Sequence, residues 1–303
     1  MTAEVWLIAN PEAGRGRGVR HASQAATALT AAGVRCRLLL PASADEATKA
    51  ARTAQEAGAR AVVACGGDGT VHAVLQAMVG TDVPMGILAG GSGDDVAANL
   101  DFATGHAETV VAALVDLMAG GGTRQVDVAR ATTADGTSRS FLGVMSTGFD
   151  SSVNERANRM PRLAGQRYNV AMLRELASFK PLDYEVQVDG VPVRGAGMLV
   201  SVGNGARFGG GMRVCPDALV DDGLLDVTWL GPIPTASFLR LFPRVYRGTH
   251  VDHPSVSTYR ARSLVISAPG QVAYADGERV GPLPVAVEVQ PGALRVLSRA
   301  PGP

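Results

Sequence analysis

A chain of 303 residues, 46% of them hydrophobic, is long enough to bury a large core and to form more than one domain. Lys+Arg and Asp+Glu balance at 28 each, so no electrostatic footprint points to nucleic acid or to strong attraction by an anionic membrane. Cys36, Cys65 and Cys215 are odd in number, widely separated and without CxxC spacing, which argues against a disulfide framework or a thiolate zinc site and fits a reducing cytoplasm.

At the N-terminus Glu4 precedes a short apolar run that Asn10-Pro11 interrupts, unlike the basic region and longer apolar stretch of a signal peptide. No run reaches the roughly 18 apolar residues of a membrane span, so a soluble protein is expected. "VWLI" (5–8), "VRCRLLL" (34–40), "AVVA" (61–64) and "MGIL" (85–88) read as buried strands. Between the first two, Val19, Ala22, Ala26 and Leu29 follow helical spacing. Between the next two, Ser43 and Glu46 form a capping box and Gly58 is placed to end that helix. Val71, Val74, Leu75 and Met78 then make an apolar stripe at i, i+3, i+4 and i+7. Such alternation predicts an α/β domain with a doubly wound, mostly parallel sheet over residues 1–123.

From about Arg124, after Gly120-Gly121-Gly122, the pattern changes. "DYEVQVDGVPV" alternates around Asp189-Gly190, a hairpin signal, and "AGMLVSVGN", "LLDVTWL", "SLVIS", "QVAYADGE" and "VAVEVQPGALRVLS" read as further strands. Helical stretches are expected near 163–179 and 235–246. The second domain, 124–303, is therefore predicted to be a mainly antiparallel, sandwich-like β domain, its last strand able to return to the first.

"AVVACGGDGTVHAVLQAM" is strand, glycine turn and helix, a junction where free amides and the positive helix end create an anion site. Asp68 would repel phosphates unless a divalent cation, magnesium, stands between or it bonds hydroxyls. Glycine turns also follow the first strand ("NPEAGRGRG") and the fourth ("AGGSGDDVAANL"). Strand ends of a parallel sheet lie along one edge, so three such turns suggest an extended polyanionic ligand. The GxGxxG dinucleotide fingerprint and the P-loop GxxxxGK[ST] are both absent, and Asp94 stands where a GxSxG elbow needs glycine, which disfavours hydride transfer and acyl transfer.

"NPEAG" (10–14), "GGDGTVH" (66–72), "GGSGDDVA" (90–97), "GNGARFGGGMRVCPDALVDDGLLDV" (203–227) and "DGE" (276–278), in this order, resemble the diacylglycerol kinase catalytic domain family, which includes bacterial lipid kinases and is related to sphingosine and ceramide kinases. The resemblance covers nearly the whole chain and implies an ATP-dependent, magnesium-using kinase that phosphorylates the hydroxyl of diacylglycerol or a similar lipid, with ATP in a cleft between the domains. By the same resemblance, Asn10, Gly66, Gly67, Asp68, Gly69, Thr70, Val71, His72 and Ser92 hold the nucleotide, and Asp68 acts on ATP and magnesium. The carbonyls of Leu219 and Leu224 with the carboxylate of Asp222 match a structural magnesium site, a donor set suited to a hard cation. Glu278 matches the proton acceptor for the lipid hydroxyl, a role for which Asp68 is the alternative within the family, and Asp276 would flank the magnesium and the transferring group.

The expected partner is a lipid at the membrane surface, met by a cytoplasmic enzyme with peripheral membrane association; a homodimer is compatible, and neither nucleic acid nor a transmembrane segment is expected. Two features depart from the family pattern. Asp94 stands where Gly-Thr-Gly-Asn-Asp has its amide, and Ala73 where many members have glutamate. Kinases of the same fold for a sphingoid base, another glycerolipid or a small hydroxylated metabolite, and an inactive nucleotide-binding regulator, are the alternatives. The arginines from Arg156 to Arg174 read as a solvated helix face, His72 as a local polar contact, and Met145, Met160, Met172 and Met198 as core filler rather than an acyl channel.

Overall fold

The computed structural model describes residues 3–11, 16–159 and 179–299; the helix expected near 163–179 falls almost wholly outside them. Two compact units emerge. The first comprises the chain to Val128, Val220–Asp222 and the chain from Gln290; the second comprises Ala129–Leu219 and Gly223–Val289.

In the first unit β1 (Val5–Ala9), β2 (Cys36–Leu39), β3 (Ala61–Gly66) and β4 (Met85–Ala89) form a parallel sheet in the order β2-β1-β3-β4. Three of these strands are buried at every position, as expected for a sheet covered on both faces. The helices are α1 (Arg17–Ala31), α2 (Ala44–Glu56), α3 (Asp68–Met78), α4 (Asp95–Asn99) and α5 (Ala107–Gly120); α1 packs with α5, and α2 with α3. In α1 the buried stripe is Gly18, His21, Ala22, Ala25 and Leu29, so the helix is turned from the stripe expected through Val19 and Ala26. Ser43 accepts from the Glu46 amide, while Glu46 reaches back to the Ala42 amide, one residue before the expected box position. Gly58, at φ 66°, ends α2 by donating to the Gln55 carbonyl.

The second unit is an antiparallel β-sandwich, built from part of β5 (Gly122–Thr133), β6 (Ser138–Phe141), β7 (Val144–Gly148), β8 (Leu182–Val188), β9 (Val191–Gly197), β10 (Leu199–Gly203), β11 (Arg207–Phe208), β12 (Met212–Arg213), β13 (Leu225–Leu230), β14 (Val256–Ala261), β15 (Ser263–Ser267), β16 (Val272–Ala275), β17 (Glu278–Pro282) and the first part of β18 (Val285–Ser298). One sheet runs β14-β13-β10-β7-β16-β17; the other pairs β9, β8, β15 and β18. Alternate residues of both, among them Met145, Val186, Val200, Val227, Ile266 and Val287, fill the core between them. On the outer face of the six-stranded sheet lie α6 (Phe149–Arg159) and α7 (Thr235–Val245), held by Phe149, Val153, Met198, Leu230, Phe238 and Leu241. β18 changes partners along its length: 285–288 pair with β15, and Val296 lies parallel to Met85 of β4.

Candidate active site

The strand order of the first unit reverses between β1 and β3, and the turns after β1, β3 and β4 leave the same sheet edge, the place where open α/β sheets bind ligands. Their glycines are explained first by one another. A Cβ on Gly91 would stand 2.5 Å from Gly67 Cα, one on Gly90 3.1 Å from Gly18 Cα, and one on Gly18 2.9 Å from the Cys65 carbonyl oxygen. The turns therefore pack backbone against backbone. Gly69, Ser92 and Gly93 are exposed above this contact.

At the start of α3 the Thr70 and Val71 amides already bond the Gly67 carbonyl, so the Thr70 amide, expected to hold phosphate, is engaged within the helix. The earlier amides of the first turn have no intrahelical acceptor. Asp68 accepts from the Val96 amide at 3.0 Å and so caps α4. Asp94 takes φ 56°, a left-handed conformation that Asn and Asp tolerate, and accepts from the Gly91 amide at 2.8 Å. Burial raises the pKa of Asp68, with the charges of Asp95 and Asp94 adding to it, and burial likewise raises that of Asp94, with Arg17 opposing. A polyanion here must therefore bring or find positive charge. Two residues that the sequence reading did not single out brace the edge: Arg17 donates to the Gly91 carbonyl, and the His21 ring bonds the Ala89 carbonyl at 2.8 Å. The repeated "GRG" was the only signal for Arg17.

In the second unit, β16 and β17 form a tight hairpin whose turn residues Asp276 and Gly277 both have positive φ, 50° and 85°. Asp276 is buried and accepts from the amides of Leu142 (2.9 Å), Gly143 (2.9 Å) and Val144 (3.2 Å). Its carboxylate thus fixes the hairpin on the segment that opens β7. Glu155 of α6 accepts from the Tyr274 hydroxyl at 2.9 Å and from Arg279 at 3.1 Å, bracing the same hairpin from the other side. Glu278 is open to solvent at the tip; the surrounding protein nevertheless raises its carboxyl pKa by desolvation, with Arg139 working against the rise.

Under α6 and α7 lies a cavity of about 80 Å³, several times the ~10–15 Å³ that one water needs. Its walls are mostly apolar, with Phe149, Phe238, Leu241, Phe242, Leu199 and Leu230 among them. Met212 also contributes, whereas Met145 lies in the sandwich core and Met198 in the cluster beside α6. Ser146 and Ser201, directly opposite on β7 and β10, place a hydroxyl pair 2.9 Å apart on its floor.

Comparison with known proteins agrees with this architecture. Residues 4–131 match the diacylglycerol kinase catalytic domain, and residues 143–298 match the YegS C-terminal NAD kinase beta sandwich-like domain. A protein of Mycobacterium tuberculosis (strain ATCC 25618 / H37Rv) named diacylglycerol kinase is 38% identical over 296 residues, covering 97% of this chain and 94% of its own. The chain belongs to the diacylglycerol kinase catalytic domain family. A protein of Shigella dysenteriae named "Probable lipid kinase YegS" is 26% identical, with 82% of each chain covered. The crystal structure of a diacylglycerol kinase from Bacillus anthracis shares the fold, with a TM-score of 0.70 at 19% identity, covering 98% of this chain and 97% of that one.

Within the diacylglycerol kinase family pattern, the departure at Asp94 has a local explanation and the one at Ala73 has none in the structure. An acceptor oxygen at position 94 is what the Gly91 amide needs, and aspartate supplies it as an amide would. Ala73 is buried, and its carbonyl accepts from Thr48 of α2. His72 is buried in α3, and Asn10 half-buried at the end of β1. Of the residues matching the family's structural magnesium site, Leu219 and Leu224 fall to the second unit and Asp222 to the first. Asp222 is exposed, and Gly223, at φ 73°, reverses the chain beside it. Among the described residues no three His, Cys, Asp or Glu side chains cluster to hold a metal. A set of two carbonyls and one carboxylate does not require such a cluster, and its hard oxygen donors suit magnesium.

Proposed function

We propose that the chain is an ATP-dependent lipid kinase that transfers a phosphoryl group to the hydroxyl of diacylglycerol or a similar lipid. The observation that carries the lipid half of this reading is the mostly apolar cavity under α6 and α7, which at about 80 Å³ takes a short aliphatic segment, with Asp150, Thr228, His250 and the serine pair as the polar groups of its lining. Family membership, with a relative named diacylglycerol kinase at 38% identity, supports the kinase half.

In this reading the first turn of α3 and the exposed Ser92 turn bind the nucleotide phosphates. Magnesium, when bound, supplies charge neutralisation between phosphates and carboxylates. Asp68 is the carboxylate nearest the helix end for that metal, while it also holds α4 in place. Asp222, with the carbonyls of Leu219 and Leu224, would hold a second, structural ion. Glu278 accepts the proton of the lipid hydroxyl: a carboxylate whose pKa its surroundings raise is a stronger base than an unperturbed one. Asp276 positions the hairpin that carries it.

Incubating the purified chain with labelled ATP, magnesium and a panel of diacylglycerol, monoacylglycerol, sphingosine and soluble hydroxyl compounds tests the reading. Labelled lipid is expected. Transfer to a soluble acceptor alone would replace the lipid assignment, and nucleotide binding without transfer would make the chain a regulator.

A further inference from the structure

Helix α7 has two unlike faces. Inward, Phe238, Leu241, Phe242 and Val245 line the cavity. Outward, Ala236, Leu239, Arg240, Pro243, Tyr246 and Arg247 succeed one another at helical spacing and are all exposed. Leu239 and Tyr246, each 48% exposed, are two of the few large apolar residues left open among the described residues. No Asp or Glu occurs from Gly231 to Val251. The one acid just beyond, Asp252, pairs with Arg244 at 3.7 Å, leaving Arg240 and Arg247 to flank the apolar residues.

A helix side that meets only water ordinarily carries charges of both signs and few large apolar groups. Leucine, proline and tyrosine between arginines, without a carboxylate, is instead the composition of a helix lying in the headgroup layer of a membrane. We propose that the outer face of α7 docks on an anionic lipid bilayer, so that the helix roofing the cavity is also the element touching the membrane. A chain of zero net charge can do this because the relevant charge is local. Attachment is therefore reversible and weakened by salt. The purpose of the contact rests on the lipid-kinase reading; the contact itself does not.

The test is co-sedimentation of the full chain with vesicles of equal parts phosphatidylcholine and phosphatidylglycerol, and with phosphatidylcholine alone. The wild-type chain should partition to the anionic vesicles and much less to the neutral ones. Replacing both arginines (Arg240→Gln with Arg247→Gln) should weaken anionic partition by about 30-fold, roughly fivefold for each arginine near the surface. Leu239→Gln with Tyr246→Gln should weaken it on both vesicle types. The arginine variant should keep the wild-type thermal midpoint, since both side chains are exposed, while the Leu239/Tyr246 variant, which loses the edge contact of Tyr246 with Phe242, should melt slightly lower and remain folded. Wild-type chain that ignores vesicles, or variants that bind as well as wild type, would overturn the proposal. So would a wild-type dimer in gel filtration that the variants break, which would give this face to a second copy. If no lipid is phosphorylated in the acceptor panel, the proposed function fails while the vesicle result still decides this one.

Discussion

Glu278 is held in a costly state by its own surroundings. Its carboxyl pKa is raised on folding, so its contribution to stability is fully present below the unfolded pKa, near 4.5, and is lost as pH rises through the folded value. At neutral pH the ionised group opposes folding slightly, because water still reaches the exposed tip. Glu278→Gln should therefore lower turnover by about 10²–10⁴-fold, the usual worth of a general base, with unchanged affinity for ATP. The same variant should melt slightly higher than wild type at pH 7, a difference that disappears at pH 4. Steady-state kinetics and thermal unfolding at the two pH values check both halves; a Gln variant with wild-type turnover removes Glu278 from the chemistry. Asp276, two residues earlier, was legible only as a carboxylate. Its three amide partners lie more than 130 positions back in the chain, so nothing local in "ADGE" distinguishes a metal-facing group from one satisfied by a distant loop.

At the scale of elements, the glycine turns are where the proposed nucleotide site and close packing coincide. Gly91→Ala places a methyl against Gly67 Cα and the Asp94 carboxylate, and the Gly67 backbone cannot retreat without disturbing the start of α3. Overpacking of this kind costs about 1–3 kcal/mol, and the denaturant midpoint should fall accordingly. ATP affinity should fall with it, since the same displacement moves the first turn of α3. Gly33→Ala, at a glycine with open space around it but φ 75°, should destabilise without changing ATP affinity. Four parallel strands were legible as short apolar runs, α1 and α3 through a periodic stripe and α2 through its cap and terminal glycine; α4 and α5 were not predicted. The hairpin of β5 and β6 was not: "GTRQVDVARATT" and "SRSF" are rich in Ala, Thr and Ser, and their side chains are too small or polar to show an alternating pattern. β14, "VSTYRA", hid for the related reason that an edge strand need not be apolar. The offset in α1 arises because Gly18 and His21, not apolar residues, lie on its buried side.

For the whole molecule, binding of a ligand only to the folded state must raise the thermal midpoint. With ATP and magnesium at about 100 times the dissociation constant the gain is about 2.7 kcal/mol, readable as a shift of several degrees in a scanning experiment. EDTA should remove most of that shift, because Asp68 and Asp94 then face the phosphates without a neutralising cation; a shift indifferent to chelation would exclude the metal from nucleotide binding. The path of β18 sets a limit of another kind. Its tail lies beside β4 while its opening residues belong to the sandwich, and Val220–Asp222 also serve the first unit from far along the chain. No single cut yields either half intact: a fragment ending at Val128 would bare the β4 border to neighbouring molecules and invite aggregation. Gene fusion or shuffling at one junction is thereby closed to this protein, and its two units must be inherited as one piece.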